Sequence, residues 1–235
     1  EVAGIAKKAR QIVDFASSRD DVYAAVSIHP VSAELYEPSQ DVHLFRRLIK
    51  ENRKVVCVGE CGLDYANASP GVAEKQRRLF RDLIRLAKEY GLPLSIHSDR
   101  LSSQDIIEIL REERAQEVGG VMHSYQGNAE IARESLDMGF YISASALLMH
   151  PLANRLRNVF RDVSIGQMVM ETDSPAAVLR RVGDSQEPFP YDMDKSSEPR
   201  MLRYICDRLA QIKGMVTQDV EALTSLNARR LFRLL

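Results

Sequence analysis

Six short apolar runs, each set between amphipathic stretches, place the tightest limit on what this chain can fold into. The runs are Val22–Ile28, Lys54–Val58, Leu92–His97, Gly119–His123, Phe140–Ala144 and Gln167–Asp173. Continuous apolar runs of this length read as strands buried on both faces. The intervening segments carry apolar residues at helical spacing. Residues 1–19 place Ile5, Ala6, Ala9, Ile12, Val13 and Ala16 on one face, with Lys7, Lys8 and Arg10 on the wet side. Leu44, Phe45, Leu48 and Ile49 mark a second helix. Ser69-Pro70 opens a third, with face Leu79, Leu83, Leu86, Ala87 and Tyr90, and Gly91 sits where a C-terminal cap belongs. Helices are also predicted over 103–114, 128–138, 151–161, 199–213 and about 218–233, with Thr217 as N-cap of the last. Strands alternating with helices demand a parallel sheet with helical crossovers. No Gly/Ser-rich linker, low-complexity tract or close repeat divides the 235 residues, so they read as one domain, 1–235.

The run at Lys54–Val58 leads straight into Gly59-Glu60-Cys61-Gly62-Leu63-Asp64-Tyr65. A carboxylate at the end of a buried strand is costly unless it is paired or binds a metal. Glu60 alone reads equally well as a buried acid satisfied by an arginine or by backbone N–H groups. Three further strand ends change the balance: His97, His123 and Asp173 each close an apolar run. In parallel α/β folds the carboxyl ends of the strands share one face, and that face carries the site. Two imidazoles and two carboxylates meeting there form a ligand set for a divalent metal or a metal pair. The chain has only five histidines, and two of them fall in this pattern.

Composition narrows the class. The chain is 45% hydrophobic and 28% charged, as in soluble globular enzymes. A net charge of −1 supplies no global basic field, so nucleic acid would need a local patch. Three cysteines with no repeated C-x-x-C point to reduced thiols rather than a disulfide framework, with Cys57 in the core and Cys61 in a loop. No apolar run approaches membrane-spanning length and no signal peptide is visible, so the expected location is cytoplasmic, or nuclear in a eukaryotic cell.

The segment 59–65 resembles the G-E-x-G-L-D-Y/F motif of the TatD family of metal-dependent deoxyribonucleases, in the amidohydrolase-like superfamily. Ser95-Ile96-His97-Ser98 resembles that family's I-H-x strand end, and Gly120-Val121-Met122-His123-Ser124-Tyr125-Gln126-Gly127 its G-V-x-H-x-F-x-G segment. Glu171-Thr172-Asp173-Ser174-Pro175 matches E-T-D-S/A-P, and Asn227-Ala228-Arg229-Arg230-Leu231-Phe232 is similar to the C-terminal N-A-x-x-L-F helix. The matches keep family order from about His29 to the end of the chain.

The resemblance implies an α/β, TIM-type (β/α)₈ barrel of the metal-dependent hydrolase kind, and hydrolysis of DNA phosphodiesters, often from the 3′ end or on single strands. It implies two divalent ions (Mg²⁺, Mn²⁺ or Zn²⁺). Glu60 would bridge them, His97 and His123 would bind the second, and Asp173 would bind the first and take a proton from the attacking water. The family also carries an H-x-H pair on its first strand, which this chain does not have. Six strands instead of eight lead to the expectation that the first two βα units are missing from this chain. The family's I-H-x-R arginine is displaced by one, leaving Arg100 as the candidate phosphate clamp, and Ser197-Glu198-Pro199 resembles a remnant of the family's N-E-P. His29-Pro30 resembles G-x-H-P and reads either as a phosphate contact, as support behind the ligands, or as a turn residue. Tyr125 would stack a base or sugar, or serve as a half-buried loop aromatic. Asp64 is expected to hold the Gly62–Tyr65 turn, and Arg180 and Arg181 to meet a DNA backbone or sit in solvent. Rival readings are a related barrel hydrolase of small amides or esters, and a degenerate barrel that binds without turnover.

Overall fold

All six runs become strands of one sheet in the computed structural model, which describes residues 2–66, 68–175 and 197–234. They are β1 (Ala24–Val26), β2 (Val55–Leu63), β3 (Leu94–Ser98), β4 (Gly120–Met122), β5 (Phe140–Ala144) and β6 (Met168–Met170). The strands lie in sequence order and every neighbouring pair is parallel. The crossovers contain α2 (Pro38–Glu51), α3 (Pro70–Tyr90), α4 (Ser103–Glu112), α5 (Ala129–Asp137) and α6 (Asn154–Asp162). The helix α1 (Val2–Ser17) precedes β1, and α7 (Leu202–Lys213) and α8 (Thr217–Leu231) follow β6. Among the described residues, five short 3₁₀ segments punctuate the connections. No helix among the described residues is long and apolar enough to cross a membrane.

Local chemistry explains the helices. Pro70 occupies the first turn of α3, where its missing N–H costs nothing, and Gly91 takes φ +63° at the other end. Leu79, Phe80, Leu83, Ile84, Leu86 and Ala87 of α3 are buried. The larger of these contribute about 1.5–3 kcal/mol each. Gly139 and Gly214 likewise close α5 and α7 with positive φ. In α8 the buried Asn227 amide donates to the carbonyls of Ile165 and Met168, both at 2.8 Å, and so anchors the start of β6.

Several expectations are corrected. β1 is three residues long, because only Ala24–Val26 pairs with β2, through an irregular register. β2 runs on past Val58 to Leu63, since Gly59 and Gly62 let it lie against β3. Cys61 is therefore not a loop residue: it is fully buried in β2, its thiol donating to the Ser95 carbonyl at 3.4 Å. Cys57 is buried, as expected, and all three cysteines are free. Ile12 lies half exposed because α1 packs through Ala9, Val13 and Ala16 instead. Val216, not Thr217, caps α8; the Thr217 hydroxyl donates to Asp207 at 3.1 Å. Arg180 and Arg181 lie outside the described residues.

Candidate metal centre

The strand β2 does not end at Glu60; it bulges there. Gly59 pairs with Ser95 and Cys61 with Ile96, leaving Glu60 as the extra residue between two buried neighbours. A bulge of this kind re-aims one side chain while the strand continues. Gly59 is required for the close approach, because a Cβ there would lie 2.5 Å from Ser95 Cβ. Gly62 is required twice over: φ is +130°, and a Cβ would run into the carbonyl of His97.

The strand ends deliver the other groups. His97 lies on β3, and His123 follows β4 with its N–H bonded to the Ile96 carbonyl at 2.9 Å. Glu171 follows β6 and is pinned by its N–H to the Ala144 carbonyl at 3.0 Å. Asp173, two residues on, has φ +56°, and Ser124 next to His123 has φ +42°. Left-handed backbone at non-glycine residues is uncommon and concentrates at functional sites.

Three imidazoles converge on one oxygen. Glu60 Oε1 lies 2.7 Å from His97 Nδ1, 3.5 Å from His29 Nε2 and 3.5 Å from His123 Nε2. His29 Nε2 is 3.3 Å from His97 Nδ1, with the two rings edge to face. Donor atoms of His29, Glu60 and His97 all lie within 4.8 Å of one another, the one such compact group among the described residues. His123 Nε2 then reaches Asp173 Oδ1 at 3.4 Å.

Carboxylates stand behind two of the rings. His123 Nδ1 is 3.0 Å from Glu171 Oε2, and His97 Nε2 is 3.3 Å from Asp64 Oδ2. Both pairs are ion-pair distances, and His97 Nε2 is among the buried atoms with no hydrogen-bond partner.

Burial works against charge here, and the neighbours overrule it. Desolvation would raise the Glu60 carboxyl, but hydrogen bonds from His29 and His97 and the charge of His123 hold it well below the ordinary carboxylate range. Desolvation would lower both inner histidines, but Glu60 and Asp64 raise His97, and Asp173, Glu171 and Glu60 push His123 up to about 10. The carboxylates around the inner histidines thus favour positive charge in this pocket. The donor set fits a divalent ion. The Glu60–His123 separation of 3.5 Å matches the donor spacing, about 3.4 Å, expected around one ion with bonds of about 2.1 Å, whereas Glu60 and His97 at 2.7 Å are hydrogen-bonded to each other.

Not every sequence-predicted residue joins this group. Glu60, His97, His123 and Asp173 are brought together, with His29 beside them. Arg100 lies exposed in the turn between β3 and α4. Tyr125 is 3% exposed, its hydroxyl donates to the Asn128 carbonyl, and its ring packs edge-on against Phe160. It is a core residue and cannot stack on a ligand. Asp64 does not hold the 62–65 turn. Asp99 does, accepting from the N–H groups of Tyr65 and Ala66 at 2.7 Å each. The Gln76 side chain adds bonds to both the N–H and the carbonyl of Asp64. The described cavity between α2 and α3, about 350 Å³ and lined by His43, Arg46, Asp82 and Glu89, shares no residue with this site.

A family model described as TatD related DNase matches residues 3–233. The chain belongs to the TatD family. It is 36% identical over 216 residues to the uncharacterized metal-dependent hydrolase YabD of Bacillus subtilis, covering 92% of this chain and 79% of that protein. It is 33% identical over 221 residues to the uncharacterized metal-dependent hydrolase YcfH of Escherichia coli (94% and 77%). It is 32% identical over 237 residues to the uncharacterized metal-dependent hydrolase TatD of Mycobacterium tuberculosis (99% and 84%). Among solved structures, the E. coli TatD homologue YjjV superposes with a TM-score of 0.84 at 22% identity, covering 97% of this chain and 83% of that one. A TatD-family hydrolase from Entamoeba histolytica gives 0.79 at 22% (96% and 80%). These likenesses establish the fold as that of TatD barrels, of which the described residues supply six parallel strands.

Within this TatD site, Gly62→Ala is expected to cost about 2 kcal/mol or more, at the upper end of single substitutions, because both the backbone angle and the His97 carbonyl oppose a side chain. Denaturant unfolding measures it; a variant as stable as the parent would mean that β2 and β3 are not packed this closely.

Proposed function

We propose that this chain is a metal-dependent hydrolase of DNA phosphodiester bonds, acting on single strands or inward from 3′ ends. The observation that carries the reading is the meeting of three imidazole nitrogens at one Glu60 oxygen, on the carboxyl edge of the sheet, in a chain of the TatD family. The relatives named metal-dependent hydrolases support the same class.

In this reading Glu60, His97, His123 and Asp173 would hold two divalent ions. Bound, such ions act as Lewis acids on the phosphoryl oxygens and bring the pKa of water toward neutrality. The protein's own groups do the rest. Asp173 accepts the proton of the attacking water. His29 is a hydrogen-bond donor rather than a ligand. Its Nδ1 accepts from the Val31 N–H at 3.3 Å, so the neutral ring carries its proton on Nε2, which faces the site and is free to hold a phosphoryl oxygen once Glu60 is engaged. Arg100, exposed in the turn after β3, would meet the phosphate backbone. Imidazole ligands suit Zn²⁺ or Mn²⁺ better than Mg²⁺. With a net charge of −1, DNA affinity rests on the ions and a few loop cations and should be salt-sensitive. Three buried free cysteines accord with a reducing, cytoplasmic setting.

The test is cleavage of end-labelled single-stranded and duplex DNA before and after chelation and re-addition of each ion, beside a panel of small amides and esters. Ion-dependent shortening of DNA from the 3′ end is expected. Turnover of the amides or esters alone would overturn the substrate assignment, and no ion-dependent turnover of anything would favour a barrel that only binds.

A further inference from the structure

We infer that Glu171 is a positioning residue that fixes which nitrogen of His123 is offered to the cation site; the inference rests on the metal-site reading above. The two inner histidines present opposite nitrogens to Glu60. His97 presents Nδ1 and turns Nε2 toward Asp64, whereas His123 presents Nε2 and turns Nδ1 toward Glu171. A ligating nitrogen needs its lone pair, and an ionised carboxylate only accepts. The nitrogen facing Glu171 at 3.0 Å therefore carries the hydrogen, and in the neutral ring Nε2 is left bare toward Glu60 and Asp173.

Glu171 is itself held. The fully buried Ser143 on β5 donates its hydroxyl to the same Oε2 at 2.6 Å, and the Glu171 N–H is tied to the Ala144 carbonyl. Ser143, Glu171 and His123 thus form a chain from the sheet interior to the site, built from three strand ends. Glu171 Oε1 is buried without a partner, so the carboxylate is kept here for what Oε2 does rather than to satisfy its own hydrogen-bonding capacity. On the other ring the contact is longer: Gln76 clamps the backbone of Asp64 from both sides, and the carboxylate meets His97 at 3.3 Å. Of the two carboxylates, Glu171 is the closer to its ring and the one whose facing oxygen is itself held by a side-chain hydrogen bond.

The experiment reads the ring directly. Nitrogen-15 spectra of the cation-free protein, recorded at a pH above about 10 where the His123 ring is neutral, report which of its nitrogens bears hydrogen, and Co²⁺ titration near neutral pH followed by visible absorption reports affinity and ligand geometry. Glu171→Gln keeps an acceptor oxygen, so hydrogen should stay on Nδ1 while Co²⁺ affinity falls about 10-fold. Glu171→Leu removes the acceptor, so the ring should populate both tautomers and affinity should fall toward 100-fold, the range seen when partners behind ligands are lost. Ser143→Ala should give a smaller loss, and serves if the Leu variant does not fold. Glu171→Leu with His123 still hydrogenated only on Nδ1, or with unchanged Co²⁺ affinity, would overturn the inference. Failure of the underlying metal-site reading looks different: Glu60→Gln would then leave Co²⁺ uptake unaltered, while the nitrogen-15 spectra of the Glu171 variants would still decide the positioning role.

Discussion

Glu60→Gln should lose cation uptake and DNA cleavage together, with turnover down by at least about 10³-fold. The substitution keeps the shape of the side chain but removes the one charge among the described residues that all three imidazoles face. It also puts an NH₂ group in a pocket already full of nitrogen. If bound ions supply several kcal/mol of transition-state stabilisation, losing about 4 kcal/mol corresponds to about 10³ in rate. The fold should survive, because Gly59 and Cys61 on either side of the bulge are buried and paired with β3. A second readout follows from the depressed Glu60 carboxyl. In the cation-free parent, its contribution to stability is fully present above the ordinary Glu value of about 4.3 and is lost as pH falls through the lower folded value. The melting temperatures of parent and variant should therefore converge on acidification. Calorimetry with added ion and a DNA-cleavage assay measure the main effect; a Gln variant that binds ion and cuts DNA like the parent would refute the assignment.

Asp173→Asn should fold like the parent and turn over about 10²–10⁴-fold more slowly, the range for removing a positioned base. The choice of asparagine matters. Asp173 has φ +56°, a conformation that Asn adopts more readily than most residues, so the backbone between β6 and Ser174 need not move. Asp173→Ala would mix that backbone effect with the chemical one. Cation uptake should suffer less than in Glu60→Gln, because His97 and His123 still face an intact Glu60 carboxylate. Steady-state kinetics and circular dichroism separate the two effects; parent-like kcat in the Asn variant would remove Asp173 from the chemistry.

The strand-end positions of His97, His123 and Asp173 could be read in the sequence because each follows an apolar run, and a parallel sheet gathers such ends on one edge. The supporting residues could not. Ser143, Gln76 and Asp99 are polar residues of ordinary kinds, on β5, on α3 and after β3, and no spacing rule sets them apart. Glu171 and Asp64 stand within the motifs, but their contacts with imidazole nitrogens depend on which way each ring turns. Tyr125 fails in the opposite direction: beside His123 in sequence, it looks like a ligand-facing aromatic, yet the chain after β4 folds it onto Phe160. The bulge was hidden as well. Glycines at 59 and 62 announce a turn, and only the closeness of β3 reveals that they serve a continuing strand.

Sequence alone determined the parallel alternation of strands and helices, the family, and the edge of the sheet where nitrogen and oxygen donors gather, because all three follow from apolar periodicity and short motifs along the chain. Tertiary structure decided that His29 joins the group, that opposite nitrogens of His97 and His123 face Glu60, and that Glu171 and Ser143 stand behind the second of these rings. Those choices depend on distances of about 3 Å between residues tens of positions apart, and on the neutral or charged form each neighbour imposes, which no pattern along a single chain encodes.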